Sequence, residues 1–198
     1  MSKIIILEGL PRTGKTTVGR ALAEEIDVTF KEEVYVMAGP GKKQWSLTHS
    51  DDEVAWWYLS EDIRRLDEAD KSPEAVQILD RSYISTLAYC HARYKLDKIG
   101  EVDQKLKLVR GRVLRAPRPK VGHVLFFDDS PEVSFQRIQE TWETHRSQWN
   151  RLGFLRSAYE YSQWFIAKEE TAPVSRLRGG VGEKLRRARH ILYKLRES

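Results

Sequence analysis

The sequence predicts an α/β fold of three layers, α/β/α, in which helices cover both faces of a mostly parallel sheet. Short apolar runs typical of strands alternate along the 198 residues with longer stretches typical of helices, and this alternation indicates a parallel sheet. A chain of this length with 40% hydrophobic residues is sufficient for one well-packed core and short for two. We therefore expect a single domain over residues 1–198.

The first part of the chain is predicted to contain three strands and two helices. Each strand is predicted from a short apolar run, and each helix from a longer amphipathic stretch. The second helix follows Ser50 and begins with acidic residues, a pattern typical of a capped helix start. Glycine and proline at 38–41 predict a loop. The predicted strands lie at 3–7, 28–31 and 75–79, and the predicted helices at 18–26 and 51–69.

The second part continues the alternation with one more strand. Proline and glycine punctuation predicts a further loop at 115–119. Ser130 and Pro131 open a helix, because proline suits the first helical turn. The predicted elements are helices at 82–94 and 100–114 and a strand at 121–127.

Polar residues follow each predicted strand. Ligands of parallel sheets gather outside the carboxyl ends of the strands, so these positions are the first candidates for a functional site. They are Glu8 and the segment after it, Glu32 and Glu33, the run Asp80-Arg81-Ser82, and Asp128 with Asp129.

The segment behind the first strand matches the phosphate-binding pattern G-x-x-x-x-G-K-[ST], and it has the strand before it and the helix after it that this mechanism requires. Two glycines let the backbone curl so that N–H groups point inward at a helix N-terminus. Lys15 is expected to reach the β- and γ-phosphates of a nucleoside triphosphate, and the Thr16 hydroxyl to bind Mg²⁺. The predicted loop consists of Gly9, Leu10, Pro11, Arg12, Thr13, Gly14, Lys15, Thr16 and Thr17.

Charged residues after the second and third strands are candidates for the chemistry of phosphoryl transfer, which needs in-line positioning, Mg²⁺ and cations. Asp80 is expected to hold Mg²⁺ through water, and Arg81 to clamp a substrate or a phosphate. The alternative is a helix-capping aspartate beside a surface arginine. Glu32 or Glu33 is the candidate general base or sugar-hydroxyl ligand, with a solvated pair in a turn as the alternative.

A polar and aromatic segment at about 140–151 reads T-W-E-T-H-R-S-Q-W-N between its end residues. Mobile basic segments that close over ATP have this character, because closure expels water and brings positive charge. Arg146 and Arg151 are its expected cations, and Arg137 lies on the helix that leads into it. An exposed helical connector is the alternative.

Aromatic residues are frequent after the second strand, at Trp45, Trp56, Trp57 and Tyr58. Core packing explains most such clusters, but a base or sugar pocket also needs a flat apolar wall. We expect one of these rings to line the acceptor site.

Composition argues against several classes of protein. There is one cysteine, Cys90, and no apolar run long enough for a membrane span or a signal peptide, so a cytoplasmic protein is expected. The net charge is +5, and the late basic residues share an amphipathic helix with leucine and isoleucine, so nucleic acid is not an expected partner. A nucleotide-dependent regulatory protein is a further alternative. It would need a guanine-reading N-K-x-D motif, which the sequence lacks, or a basic and aromatic surface, which the last helix offers only weakly.

The order of these motifs resembles the thymidylate kinase and deoxynucleoside kinase branch of the P-loop kinases. The matching segments are I-L-E-G-L-P-R-T-G-K-T-T at 6–17, L-D-R-S-Y at 79–83, F-F-D-D-S-P-E-V at 126–133 and the helix at 152–165. The resemblance implies a five-stranded sheet, a helical lid, ATP and Mg²⁺ as cofactors, and a nucleoside or nucleoside monophosphate as acceptor. It also implies a homodimer.

The resemblance also implies roles for individual residues. Lys15 and Thr16 would serve ATP and Mg²⁺, and Arg12 would contact the transferring phosphoryl group. Asp80 and Arg81 would arrange the metal and the acceptor.

The acceptor side is less defined by the resemblance. Arg64 or Arg65 would match an arginine that binds the acceptor monophosphate, and Glu33 with Trp45 is similar to the E-P-x-x-x-W stretch of deoxynucleoside kinases. Thymidylate kinases commonly have an acidic residue where this loop has Pro11, and their R-E-P-G segment is absent here. The acceptor therefore stays open, and another hydroxyl, such as that of a sugar or an antibiotic, is the alternative.

Overall fold

The computed structural model describes residues 3–72, 76–116, 120–141, 148–170 and 172–197. The strands are β1 (Ile4–Gly9), β2 (Thr29–Lys31), β3 (Gln77–Asp80), β4 (His123–Phe127) and β5 (Val174–Leu177). The helices are α1 (Lys15–Glu25), α2 (Val34–Met37), α3 (Pro40–Thr48), α4 (Asp51–Lys71), α5 (Tyr83–Asp97), α6 (Asp103–Val109), α7 (Pro131–Thr141), α8 (Leu152–Lys168) and α9 (Val181–Glu197). A π-helical turn follows α6 at Arg110–Leu114, and a 3₁₀ turn precedes α8 at Gln148–Asn150.

The five strands form one sheet in the order β2-β3-β1-β4-β5, and each neighbouring pair is parallel. The predicted five-stranded parallel sheet is therefore confirmed. Leu7 pairs with Asp80 on one side of β1, and Gly9 pairs with Phe127 on the other. This register brings the carboxyl ends of β1, β3 and β4 to the same edge of the sheet.

Two hydrophobic clusters, one on each face of the sheet, explain the three layers. Side chains alternate along a strand, so Ile4 and Ile6 of β1 join the cluster formed with α4, α5 and α8, whereas Ile5 and Leu7 join the cluster formed with α1 and α9. Continuous apolar runs such as β1 are typical of strands buried on both faces. The layered fold predicted from the alternation of elements is confirmed.

Several element boundaries differ from the predictions. The segment 38–41, predicted as a loop, contains the start of α3, where Pro40 occupies the first turn and its missing N–H has no helical partner to lose. The helix predicted at 100–114 begins at Asp103 and ends in the π-helical turn. The strand β5 was not predicted. Residues 117–119 of the second predicted loop lie outside the described residues.

The predicted start of α4 is confirmed in detail. The Ser50 hydroxyl accepts a hydrogen bond from the backbone N–H of Glu53, and the Glu53 carboxylate accepts one from the backbone N–H of Ser50 at 2.9 Å. This capping box satisfies two N–H groups that would otherwise lack partners. Among the described helices, none is long and apolar enough to cross a membrane.

Candidate active site

The loop between β1 and α1 depends on glycine at its two ends. Gly9 has a φ of +133°, and a Cβ atom there would lie 2.5 Å from the carbonyl oxygen of Phe127 in β4. Gly14 has a φ of +92° and directly precedes α1. Both conformations are rare for residues with a side chain. Arg12, between them, also has a positive φ of 59°, so the loop curls as the phosphate-binding motif requires.

Lys15 is buried within the curl of the loop. Its Nζ donates hydrogen bonds to the carbonyl oxygens of Gly9 at 2.9 Å and Leu10 at 2.6 Å. Burial and, next, the positive charge of Arg81 lower the pKa of Lys15 to about 7, although nearby carboxylates, Asp80 first, oppose this shift. The lysine therefore lies where a bound polyphosphate would restore its full charge.

Thr16 and Asp80 come together from α1 and the end of β3. The Thr16 hydroxyl donates to Asp80 Oδ2 at 2.5 Å. Asp80 is 1% exposed, and within the described part of the chain its Oδ1 atom is buried without a hydrogen-bond partner. A hydroxyl beside a carboxylate with an unused buried oxygen fits Mg²⁺, which usually takes one or two protein oxygens along with phosphate oxygens and water.

Arg81 and Glu33 form an ion pair at the ends of β3 and β2. Arg81 Nε lies 2.6 Å from Glu33 Oε2. Glu32 points elsewhere, because its Oε1 accepts a hydrogen bond from Nε of Arg20 on α1 at 3.0 Å. Of the two glutamates that the sequence left open, the structure therefore brings Glu33 to Arg81. Arg81 has a φ of 61°, a strained conformation for this residue type.

Glu8, the last side chain of β1 before the loop, is held by hydroxyl groups. Ser82 and Ser85 donate to its two carboxylate oxygens at 2.6 and 2.5 Å. Burial raises the pKa of Glu8, while the hydroxyl groups and the charges of Arg81 and Lys15 oppose that rise. Glu8 thus ties the start of α5 to β1 beside the loop.

The two candidate arginines of α4 have different environments. Arg65 is buried, and its Nη2 donates to the carbonyl oxygens of Lys31 at 3.1 Å, Glu32 at 2.7 Å and Asp80 at 3.2 Å. Arg64 has a side chain that is 49% exposed and pairs with glutamates on its own helix. The structure does not bring Arg64 to Asp80 and Arg81, because consecutive helical residues point about 100° apart, and the buried position falls to Arg65.

Trp45 lies on α3 and packs in a chain of aromatic rings with Trp57 and Tyr58. Its ring is 6.2 Å from that of Trp57, which is 4.9 Å from that of Tyr58. Burial raises the pKa of Tyr58 to about 12, and the charges of Tyr35 and Glu33 add to that effect. Tyr58, at the far end of this chain of rings from Trp45, is thus within electrostatic range of Glu33.

The predicted lid segment is described only at its two ends, residues 140–141 and 148–151. Residues 142–147, which include Arg146, lie outside the described residues. Trp149 packs on Phe154 with ring centroids 5.1 Å apart, and the Arg81 guanidinium lies 5.9 Å from the Trp149 ring centroid. Arg151 Nη1 lies 2.9 Å from Asp97 Oδ1 on α5. The end of this segment thus contacts the site beside Arg81.

The outer side of the loop is bound by side chains that were not predicted as site residues. They come from α7 and α9, and Lys184 looked in the sequence like one cation of an ordinary basic helix, so no sequence signal distinguished it. The donors are Ser134 Oγ to Pro11 O at 2.7 Å, Arg137 Nη1 to Arg12 O at 3.1 Å and Lys184 Nζ to Thr13 O at 3.0 Å.

A parallel sheet with a curled, glycine-bounded loop after its central strand, and a carboxylate from the next strand on the first helical threonine, defines a P-loop nucleotide-binding protein. A family model described as an AAA domain matches residues 4–176. The chain belongs to this AAA domain family. No curated protein matches it in sequence.

Solved structures of two kinases share this fold over nearly the whole chain. Deoxyadenosine kinase from M. mycoides with dCMP and dCDP is 14% identical, with a TM-score of 0.70 over 98% of this chain and 100% of that one. Its complex with dATP is 15% identical, with a TM-score of 0.71 over 96% and 98%. Thymidylate kinase from Candida albicans is 17% identical, with a TM-score of 0.71 over 98% and 92%. The predicted P-loop kinase fold is confirmed.

Proposed function

We propose that this protein is a kinase that transfers the γ-phosphoryl group of ATP to a nucleoside or a nucleoside monophosphate. One observation carries the proposal: the ends of three neighbouring strands bring Lys15, the Thr16–Asp80 pair and the Glu33–Arg81 pair to one edge of the sheet. A phosphate-binding loop alone would also suit a switch or a motor. A metal-binding carboxylate and a second charged pair beside it favour transfer to an acceptor.

The donor side would be formed by the loop, residues 9–17. Its N–H groups and the N-terminus of α1 would bind the triphosphate. Lys15 would contact the β- and γ-phosphates, and Arg12 would stabilise charge on the transferring group. Arg146, predicted from the sequence as a cation of the lid, would add positive charge when the segment closes.

Mg²⁺ would be held by the Thr16 hydroxyl and, directly or through water, by Asp80. Asp80 Oδ1 supports this assignment, because it is buried and has no hydrogen-bond partner among the residues that the structure describes. The ion would bridge phosphate oxygens and neutralise charge in the transition state. Arg65 supports the site indirectly, because it fixes the carbonyl oxygen of Asp80 and thereby the end of β3.

The acceptor side favours a hydroxyl group over a phosphate. Glu33 can accept the proton of an acceptor hydroxyl, whereas its negative charge would repel a monophosphate. Arg81 is partly neutralised by Glu33 at 2.6 Å, and Arg65 is engaged by backbone oxygens. A nucleoside is therefore our first candidate, and a nucleoside monophosphate the second. Trp45 would contribute to the wall of this pocket.

A coupled assay of ADP release tests the proposal. Nucleosides, nucleoside monophosphates, and a set of sugars and aminoglycosides form three separate arms with MgATP as donor. We expect turnover above the rate with ATP alone in the first or second arm. Stimulation only in the third arm would move the activity to another small hydroxyl, and stimulation in none of them would refute the kinase assignment.

Lys15→Ala provides the matched test of the site. We expect turnover to fall by orders of magnitude with an unchanged circular dichroism spectrum, because the phosphate-binding cation is lost. Lys95→Ala removes an exposed lysine of α5 that pairs with Glu160 and serves as the control. Full activity of Lys15→Ala would show that the loop is not catalytic.

We further propose a cytoplasmic enzyme that acts as a single kinase domain over residues 1–198 on small molecules and not on nucleic acid, and that forms a homodimer. Sedimentation with and without MgATP tests the oligomeric state. A monomer under both conditions would contradict the homodimer and leave the kinase proposal intact.

A further inference from the structure

Three successive carbonyl groups of the phosphate-binding loop accept hydrogen bonds from outside the loop. In a trans peptide the N–H group points away from the carbonyl group of the same peptide unit. A donor that holds the carbonyl outward therefore turns the following N–H inward, toward the phosphates. The affected carbonyls are those of Pro11, Arg12 and Thr13, and the N–H groups turned inward belong to Arg12, Thr13 and Gly14.

One of these donors is Lys184, a buried cation and the fourth residue of α9. It is 1% exposed, and its Nζ lies 3.0 Å from the Thr13 carbonyl oxygen and 2.7 Å from both carboxylate oxygens of Asp129. Asp129 Oδ2 also accepts a hydrogen bond from Arg137 at 2.6 Å. One carboxylate thus orients two cations, and each cation binds a different carbonyl of the loop.

Burial of a charged pair costs free energy that this pair must recover from its hydrogen bonds. Lys184 Nζ makes two hydrogen bonds to Asp129 and a third to the Thr13 carbonyl oxygen. The buried pair therefore depends on the loop carbonyl as its third hydrogen-bond partner. Loss of the ammonium would remove this donor from the buried Thr13 carbonyl and one of the two cations that bind Asp129. The peptide could then turn its oxygen inward, where it would repel a phosphate.

We propose that Lys184 and Asp129 are positioning residues that hold the phosphate-binding loop in the form that binds polyphosphate. Neither residue contacts the phosphates. The pair acts on the direction of the loop N–H groups and couples the last described helix to nucleotide affinity. The proposal deepens the proposed function, but it requires only that the loop binds polyphosphate, whatever the acceptor.

The decisive measurement is the affinity of the full chain for inorganic tripolyphosphate and for MgATP by calorimetry. We expect Lys184→Met to weaken both by roughly tenfold or more, the order of one charge-assisted hydrogen bond. The KM for ATP should rise while the KM for the acceptor stays unchanged, which a general loss of folded protein would not produce. Asp129→Asn should cause a smaller loss in the same direction, because it keeps the shape and removes the charge that orients Lys184.

Arg189→Met is the matched control. Arg189 is a cation of the same helix, but it pairs with Glu25 at the far end of α1 and contacts no loop carbonyl, so affinity should not change. If Lys184→Met fails to fold, the affinity of Asp129→Asn for tripolyphosphate becomes the test of the proposal. Wild-type affinity in a folded variant of the pair would overturn the proposal, and so would a wild-type chain that does not bind tripolyphosphate. A wild-type chain that binds tripolyphosphate but phosphorylates no acceptor would refute only the proposed function.

Discussion

At the scale of single residues, Lys15 is a buried cation that the loop holds with its own backbone. Its ammonium group donates to oxygen atoms of Gly9, Leu10 and Thr13, all of which are uncharged, and Arg81 adds repulsion. A buried charge surrounded by neutral oxygen atoms responds strongly to an opposite charge. The free protein is therefore poised for an anion at this position.

The lowered pKa of Lys15 predicts a dependence of stability on pH. Between its folded value of about 7 and its ordinary value of 10.5, the unfolded chain binds more protons than the folded one. The free energy of unfolding should therefore rise with pH in this window, by at most about 1.4 kcal/mol per pH unit. Lys15→Met should lack this rise.

Denaturant unfolding of both proteins from about pH 7 to about pH 9, without nucleotide, measures this difference. Lys95→Met, which removes an exposed lysine, gives the baseline. A wild-type minus Lys15→Met difference that is flat or falls with pH would contradict the burial of a lysine with a lowered pKa.

At the scale of secondary structure, Arg65 of α4 holds the ends of β2 and β3. Its guanidinium donates to carbonyl oxygens of both strands, and its Nη1 lies 3.4 Å from the buried carboxylate of Asp62. Burial raises the pKa of Asp62 to about 7, against the opposing charge of Arg65. We call these contacts of Arg65 a clamp. They provide hydrogen-bond donors to backbone carbonyl groups at the strand ends, where the sheet ladder stops.

Two adjacent arginines test this clamp. Arg65→Met should lower the free energy of unfolding by on the order of 3 kcal/mol, because buried carbonyl groups lose a charged donor. Arg64→Met, on the exposed side of the same helix, should change it by less than about 0.5 kcal/mol. Chemical denaturation at neutral pH provides the comparison. Equal effects of the two substitutions would mean that the carbonyl contacts contribute little.

Helices and strands with a clear sequence pattern were predicted, and those with a weak or ambiguous pattern were missed. The apolar run of β1 and the capped start of α4 at Ser50 were evident, because burial on both faces and a capping box leave clear signatures. β5 was missed, since Val174–Leu177 is short and only Leu177 is buried. The helix α3 was missed because Pro40 marks both a loop and a first helical turn.

Candidate site residues could be predicted where a sequence motif specifies the backbone conformation. They were harder to predict where contacts between distant elements decide which side chain enters the site. Lys15 and Thr16 follow from the loop pattern. The choice between Glu32 and Glu33 required the positions of Arg20 and Arg81, which come from other elements. The outer contacts of the loop could not be found in advance, because Lys184 differs from its basic neighbours only in being buried.

At the scale of the whole molecule, binding at the loop should stabilise the entire fold, because β1 lies at the centre of the sheet and the loop contacts α7 and α9. MgATP at a hundred times its Kd adds about 2.7 kcal/mol to the free energy of unfolding. For a chain of this size the Tm should rise by roughly 5–10 °C. Thermal scans with MgATP, ATP plus EDTA, and no ligand measure the effect.

The rise in Tm should be smaller without Mg²⁺, because the oxygen atoms of Thr16 and Asp80 then have no metal ion to bind. Lys15→Met should lose most of it. An equal shift with ATP plus EDTA would argue against a metal at Asp80.

The strand order also has a consequence for the order of events during synthesis. The loop is made early, but the neighbours of β1 in the sheet are residues 77–80 and 123–127, and the helix that carries Lys184 comes later still. A nascent chain therefore exposes its apolar first strand until both of these segments have been made, so β1 is the segment that a chaperone would need to shield during synthesis.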